Sequence, residues 1–112
     1  MAYESLYERF AVKGAGGGSI SVEFRRAGFL TLGDMPELYF FAVTGEEVVV
    51  GISGSALKRF EKSRRLSREE KIDLAGFWLK KQMEAGAALE SKNLFLRDDE
   101  LAEIAGSLGI QA

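Results

Sequence analysis

A chain with no histidine and no cysteine must draw any chemistry it performs from carboxylates, lysine, serine and tyrosine. Imidazole bases, thiolate nucleophiles, disulfides and the usual zinc and iron–sulfur ligands are excluded by composition. Several short strings imitate functional signatures within that restricted set. Gly14-Ala15-Gly16-Gly17-Gly18-Ser19 begins as G-x-G-x-x-G, but Ser19 takes the last glycine position. The residues after it alternate as a strand, whereas a dinucleotide needs a helix N-terminus for its pyrophosphate. Gly51-Ile52-Ser53-Gly54-Ser55 resembles a strand–turn–helix nucleophile elbow, yet Ser53 has no histidine to take its proton. Ser55-Ala56-Leu57-Lys58 matches S-x-x-K without the S-D-N and K-T-G strings that accompany it in enzymes.

Two further strings concern binding. Asp98, Asp99, Glu100 and Glu103 could offer oxygens to a hard cation, but no EF-hand spacing surrounds them, and acids at a helix start complement its dipole. Glu100 to Ile110 reads like the first helix and turn of a helix-turn-helix, with only Gln111 and Ala112 after it, so no recognition helix is expected. The strongest signal is basic. Lys58, Arg59, Lys62, Arg64, Arg65, Arg68 and Lys71 face Glu61, Glu69 and Glu70, a local net charge of +4 in a chain whose total is -2. Such a segment could neutralise phosphates, although no exposed aromatic series accompanies it for base stacking.

The elements that must position these residues follow from periodicity. The 112 residues are the size of one domain, and residues 1–112 are read as one. Tyr3, Leu6, Tyr7 and Phe10 recur at helical spacing and predict a short amphipathic helix. Lys13 to Ser19 holds four glycines and predicts a loop. Ser19 to Arg25 alternates as a strand, Arg26-Ala27-Gly28 reads as a turn, and Phe29 to Leu32 as a second short strand ended by Gly33-Asp34-Met35-Pro36. Leu38 to Thr44 is apolar on both faces, as in a strand covered on two sides. Gly45-Glu46 fits a two-residue type II′ loop that would pair Val43 with Val48, Phe41 with Val50 and Tyr39 with Ile52, and would set Phe40 over Gly51.

Ser53 or Ser55 caps a helix to about Ser63, with Ala56, Leu57 and Phe60 inward. Ser67-Arg68-Glu69-Glu70 is a capping box that starts the longest helix. Ile72, Ala75, Leu79 and Met83 form that helix's central stripe, widened by Leu74 and Trp78, with Asp73, Lys80 and Glu84 opposite and Gly86 at its end. Asn93 to Arg97 is a candidate fifth strand. Asp98 or Asp99 then caps a last helix whose Leu101, Ile104, Ala105 and Leu108 face inward.

From Phe40 onward the order of features resembles a family of small bacterial proteins of unknown function. The resemblance is carried by Phe41-Ala42, Gly45, Val48, Ile52-Ser53, Ala56-Leu57, Phe60, Ile72, Ala75 and Leu94-Phe95-Leu96 before Asp98. It implies a compact α+β fold and brings no catalytic residue.

These readings converge on an α+β domain: an antiparallel meander of about four strands packed against two to four helices. The expected function is a non-catalytic interaction module, homo-oligomeric, without metal or cofactor. Phe77 is its candidate interface, because on the long helix it falls between Lys80 and Lys81 and away from the apolar stripe. The alternative is a nucleic-acid-associated protein using Lys58, Arg59, Lys62, Arg64, Arg65 and Arg68. A small-molecule pocket between sheet and helices ranks third. Met1 to Phe10 carries Glu4 and Glu8 and has no continuous apolar run, so no secretory signal is expected; the longest apolar run, Leu38 to Val43, is too short to cross a bilayer, and the cytoplasm is the expected location.

Overall fold

The computed structural model describes residues 7–13, 18–29, 31, 33, 35–86, 95–96 and 98–110. The elements in order are β1 (Arg9–Lys13), β2 (Ser19–Phe29), β3 (Glu37–Val43), β4 (Glu46–Ile52), α1 (Gly54–Glu61), α2 (Arg68–Glu84), β5 (Phe95–Leu96) and α3 (Asp98–Ser107). The strands form one sheet in the order β1-β2-β3-β4-β5, antiparallel except for the parallel β4–β5 pair. The architecture is α+β with a four-strand antiparallel meander, as the sequence predicts.

Two of those four strands differ from expectation. Arg9 and Phe10 belong to a strand, and Tyr7 and Glu8 to a bend, where a helix from Tyr3 to Phe10 was expected; Tyr3 and Leu6 lie outside the described residues. Phe10 and Val12 alternate with Arg9, Ala11 and Lys13 as readily as they fit a helical stripe, and pairing with β2 decides the matter. Nor does the chain turn at Arg26-Ala27-Gly28. β2 continues to Phe29, and the register shift between Phe24 and Arg26 marks a β-bulge at Arg25. One extra residue there keeps both arginines on the outer face and sends Ala27 and Phe29 to the face of Phe24. Leu30 and Leu32, from the expected short strand, lie outside the described residues, as do Gly14 to Gly17 of the glycine loop.

The hairpin forms one step from the expected place. Its loop is Thr44-Gly45, with φ of 50° and 84°, so both central residues are left-handed, the type I′ arrangement that suits strand twist. Val43 faces Glu46, Phe41 faces Val48 and Tyr39 faces Val50. The shift of two preserves every residue's face, but β3 is buried on one face only: Tyr39, Phe41 and Val43 are buried while Leu38, Phe40 and Ala42 are half-buried, where the sequence suggests cover on both sides. Phe40 faces Val49, and its ring shields Gly28 of β2 rather than Gly51, lying 3.8 Å from where a Gly28 Cβ would stand.

The helices assemble as their caps dictate. The Ser53 hydroxyl accepts from Ala56 N at the start of α1, and both bonds of the Ser67–Glu70 capping box are present. Gly86, at φ 74°, ends α2. The core joins Val22, Phe24, Tyr39, Phe41, Val48, Val50 and Ile52 of the sheet to Leu57 of α1, Ile72, Leu74, Trp78 and Leu79 of α2, and Leu101 and Ile104 of α3. Trp78 Nε1 donates to Glu100 Oε2 at 3.0 Å and ties α2 to α3. β5 contributes Leu96, whose carbonyl accepts from Ser53 N at 2.9 Å.

α2 is covered on more sides than its sequence suggests. Asp73, expected opposite the apolar stripe, is fully buried, and its Oδ1 accepts the Tyr7 backbone N–H at 2.9 Å. Gly76 lets that segment approach closely, since a Cβ there would lie 2.7 Å from Tyr7 Cβ. The Tyr7 ring meets Phe10 and Phe77 edge-on, each at 5.4 Å between centroids. Phe77 is therefore half-buried beneath Tyr7. A wheel drawn for α2 alone places Phe77 in water because it contains no information about the strand entry that covers it.

Candidate functional site

Two places on the surface gather side chains of functional interest. The first is the predicted basic segment. Lys58, Arg59, Lys62, Arg65 and Arg68 are exposed, whereas Arg64 is half-buried and its guanidinium pairs with Glu70. Burial raises the Glu70 pKa, but the bonds from Arg64 and from Ser67 N–H outweigh it and hold the carboxyl below its ordinary value. Glu61 accepts from Leu66 N at 3.0 Å, which closes the link between α1 and α2. Lys71 pairs with Glu37 at 3.2 Å, and the Arg68 guanidinium lies 5.5 Å from the Phe24 ring. Part of the charge in this segment thus organises the helix junction, and the exposed cations spread over α1, the link and the first turn of α2.

The second place is a cleft of about 490 Å³ where β2 and β3 run past the start of α2. Ala27, Gly28 and Phe29 come from β2, Glu37 and Tyr39 from β3, Arg68 and Lys71 from α2, and Met35 from the approach to β3. Its polar floor is a connected chain. Tyr39 OH donates to Glu37 Oε1 at 2.7 Å, and Lys71 Nζ donates to Glu37 Oε2 at 3.2 Å. Burial, then the Glu37 hydrogen bond and charge, push the Tyr39 pKa upward, so the phenol stays protonated as the donor. Phe29 and Met35 form the apolar rim. At 68% and 52% exposure they are the exposed large hydrophobic residues among those described. Met35 also holds φ 52° immediately before Pro36, where extended backbone is the norm.

The edge of β2 lies beside this cleft. β1 covers β2 only from Ser19 to Glu23, and Glu8 O accepts from Phe24 N at 2.7 Å before the chain turns toward Asp73. Beyond that point no described strand pairs with this side of β2, and Arg25, Arg26, Ala27 and Phe29 are exposed.

The serine and acidic motifs take structural positions. Ser53 caps α1, with its Oγ 3.2 Å from Ser55 Oγ, and Glu100 is bonded to Trp78. No group of three or more metal-ligating side chains gathers among the described residues, and no helix among them is long and apolar enough to cross a membrane. Sequence reasoning missed Phe29, Met35, Glu37 and Tyr39. The one available signal was the i, i+2 spacing of Glu37 and Tyr39, which sets them on one strand face. Comparison with protein-family models, with curated proteins and with solved structures finds no match.

Proposed function

We propose that this protein is a non-catalytic interaction module that associates with a second copy of itself through the uncovered edge of β2. The observation that carries this reading is the mismatch in length between β1, five residues, and β2, eleven, which leaves Arg25 to Phe29 unpaired on one side among the described residues. An open strand edge readily recruits another strand. Phe24 N–H points to the β1 side, and the bulge turns both Arg25 and Arg26 toward Phe40, so Ala27 again presents its N–H and C=O outward. A two-fold axis at Ala27 would pair Ala27 with its twin. Arg25 already has Glu23 at 3.2 Å, which limits repulsion between copies. Phe77, half-buried by Tyr7, is not needed for this contact.

Nucleic-acid association is the second reading, supported by the exposed cations Lys58, Arg59, Lys62 and Arg65. Light scattering tests the first. A dimer of twice 12.3 kDa at tens of micromolar protein that Ala27→Lys converts to a folded monomer supports the edge contact. A wild-type mass of 12.3 kDa rejects it.

A further inference from the structure

We infer that the cleft between the ends of β2 and β3 and the first turn of α2 binds a small amphipathic anion, a carboxylate carried on an apolar chain. The site lies within one copy and does not depend on self-association. Its volume of about 490 Å³ falls within the roughly 300 to 1,000 Å³ of small-molecule sites. Its walls divide by chemistry. Phe29 and Met35 offer apolar surface to water at one end, where an acyl chain would cover it.

The other end is cationic. Glu37 is the acidic residue among the described lining residues, and both its oxygens are occupied, one by Tyr39 OH and one by Lys71 Nζ. That leaves Arg68, which makes no hydrogen bond or ion pair among the described residues and whose guanidinium lies 5.5 Å from the centre of the Phe24 ring. Lys71 has further N–H donors beyond the one spent on Glu37. Among the described lining residues the net charge is +1, from Arg68 and Lys71 against Glu37, reinforced by the positive end of the α2 dipole. A cation would meet Arg68 and a carboxylate already satisfied. A neutral apolar molecule would cover the rim but draw nothing from the guanidinium, which is exposed and would stay in water. A carboxylate satisfies the guanidinium in the bidentate geometry that Arg favours, while its chain lies over Phe29 and Met35.

Two-dimensional amide NMR titration with octanoate tests the site, with 1-octanol and inorganic phosphate as the matched apolar and anionic probes. Saturable shifts at Ala27 to Phe29, Met35, Glu37 and Lys71 are expected with octanoate. Binding should weaken about tenfold or more in Arg68→Gln, the lower range of a charge-assisted hydrogen bond, and also in Phe29→Ser. Arg65→Gln, a lost cation outside the cleft, should leave it unchanged. The dispersed spectrum of each variant reports whether it is folded. Absence of saturable shifts with octanoate would overturn the inference. So would octanol or phosphate binding as tightly, or equal weakening by Arg65→Gln, which would reduce the effect to general charge attraction.

Discussion

Replacing Gly76 by alanine sets helix propensity against packing. In an open helix interior the exchange favours alanine by about 1 kcal/mol. At Gly76 the new methyl would stand 2.7 Å from Tyr7 Cβ and 3.0 Å from Tyr7 O, well inside the roughly 3.5 to 4.0 Å at which carbon contacts are favourable. One response is for α2 and the Tyr7 segment to separate, an overpacking strain of about 1 to 3 kcal/mol. The other is for Tyr7 to leave. That would break its N–H bond to Asp73, about 1 to 3 kcal/mol for a buried polar group losing its partner. It would also forfeit two edge-on ring contacts of about 0.5 to 1.5 kcal/mol each. After the propensity gain, separation leaves a net loss of up to about 2 kcal/mol and departure of Tyr7 about 1 to 5 kcal/mol, so the cheaper separation sets the cost. Urea unfolding should show a midpoint lower by up to about 1 M, and hydrogen exchange at the Tyr7 amide should accelerate. A midpoint that rises would refute the placement of Tyr7 against this face of α2.

Other consequences concern the same framework. Gly45→Val forces a β-branched residue to φ 84° and should destabilise by about 1 to 3 kcal/mol; an unchanged thermal midpoint would contradict the left-handed turn. Phe77→Glu should lower stability by about 1 to 3 kcal/mol at every protein concentration, because it places a charge beneath Tyr7. A variant as stable as wild type would return Phe77 to the open surface. Glu70 ionises more readily folded than unfolded, so its contribution is complete above the ordinary value of 4.5 and fades as pH falls through the folded value. Glu70→Gln should therefore cost about 1 kcal/mol at neutral pH, with the difference from wild type shrinking in acid. Urea titrations showing a constant difference from about pH 3 to pH 7 would remove the Arg64–Glu70 contribution.

What the sequence makes legible is what local chemistry decides. Ser53 and the Ser67–Glu70 box mark helix starts because a cap is a contact between residues three apart. The faces of β3 and β4 are readable because alternation survives a register error of two. The Arg25 bulge is not, since a bulge interrupts alternation at Arg25-Arg26 just as a turn would, and only pairing with Phe40 distinguishes them. Asp73 and Phe77 were misplaced for a related reason: the partner that buries them is Tyr7, 66 residues before Asp73. The cleft shares this non-local origin. Phe29, Glu37 and Lys71 converge through sheet pairing and helix packing, so the basic segment was visible as a string while the surface beside it was not.

The absence of cysteine permits a direct test of the β2 edge contact. Ala27→Cys introduces a single thiol at the proposed two-fold axis. A hydrogen-bonded antiparallel pair places its Cα atoms about 5.5 Å apart, within the range a disulfide spans. Mild oxidation should yield a covalent dimer of twice 12.3 kDa on a non-reducing gel, whereas Ala11→Cys, exposed on β1, should stay monomeric under the same treatment. Equal crosslinking at both positions, or none at Ala27→Cys, would contradict self-association through this edge.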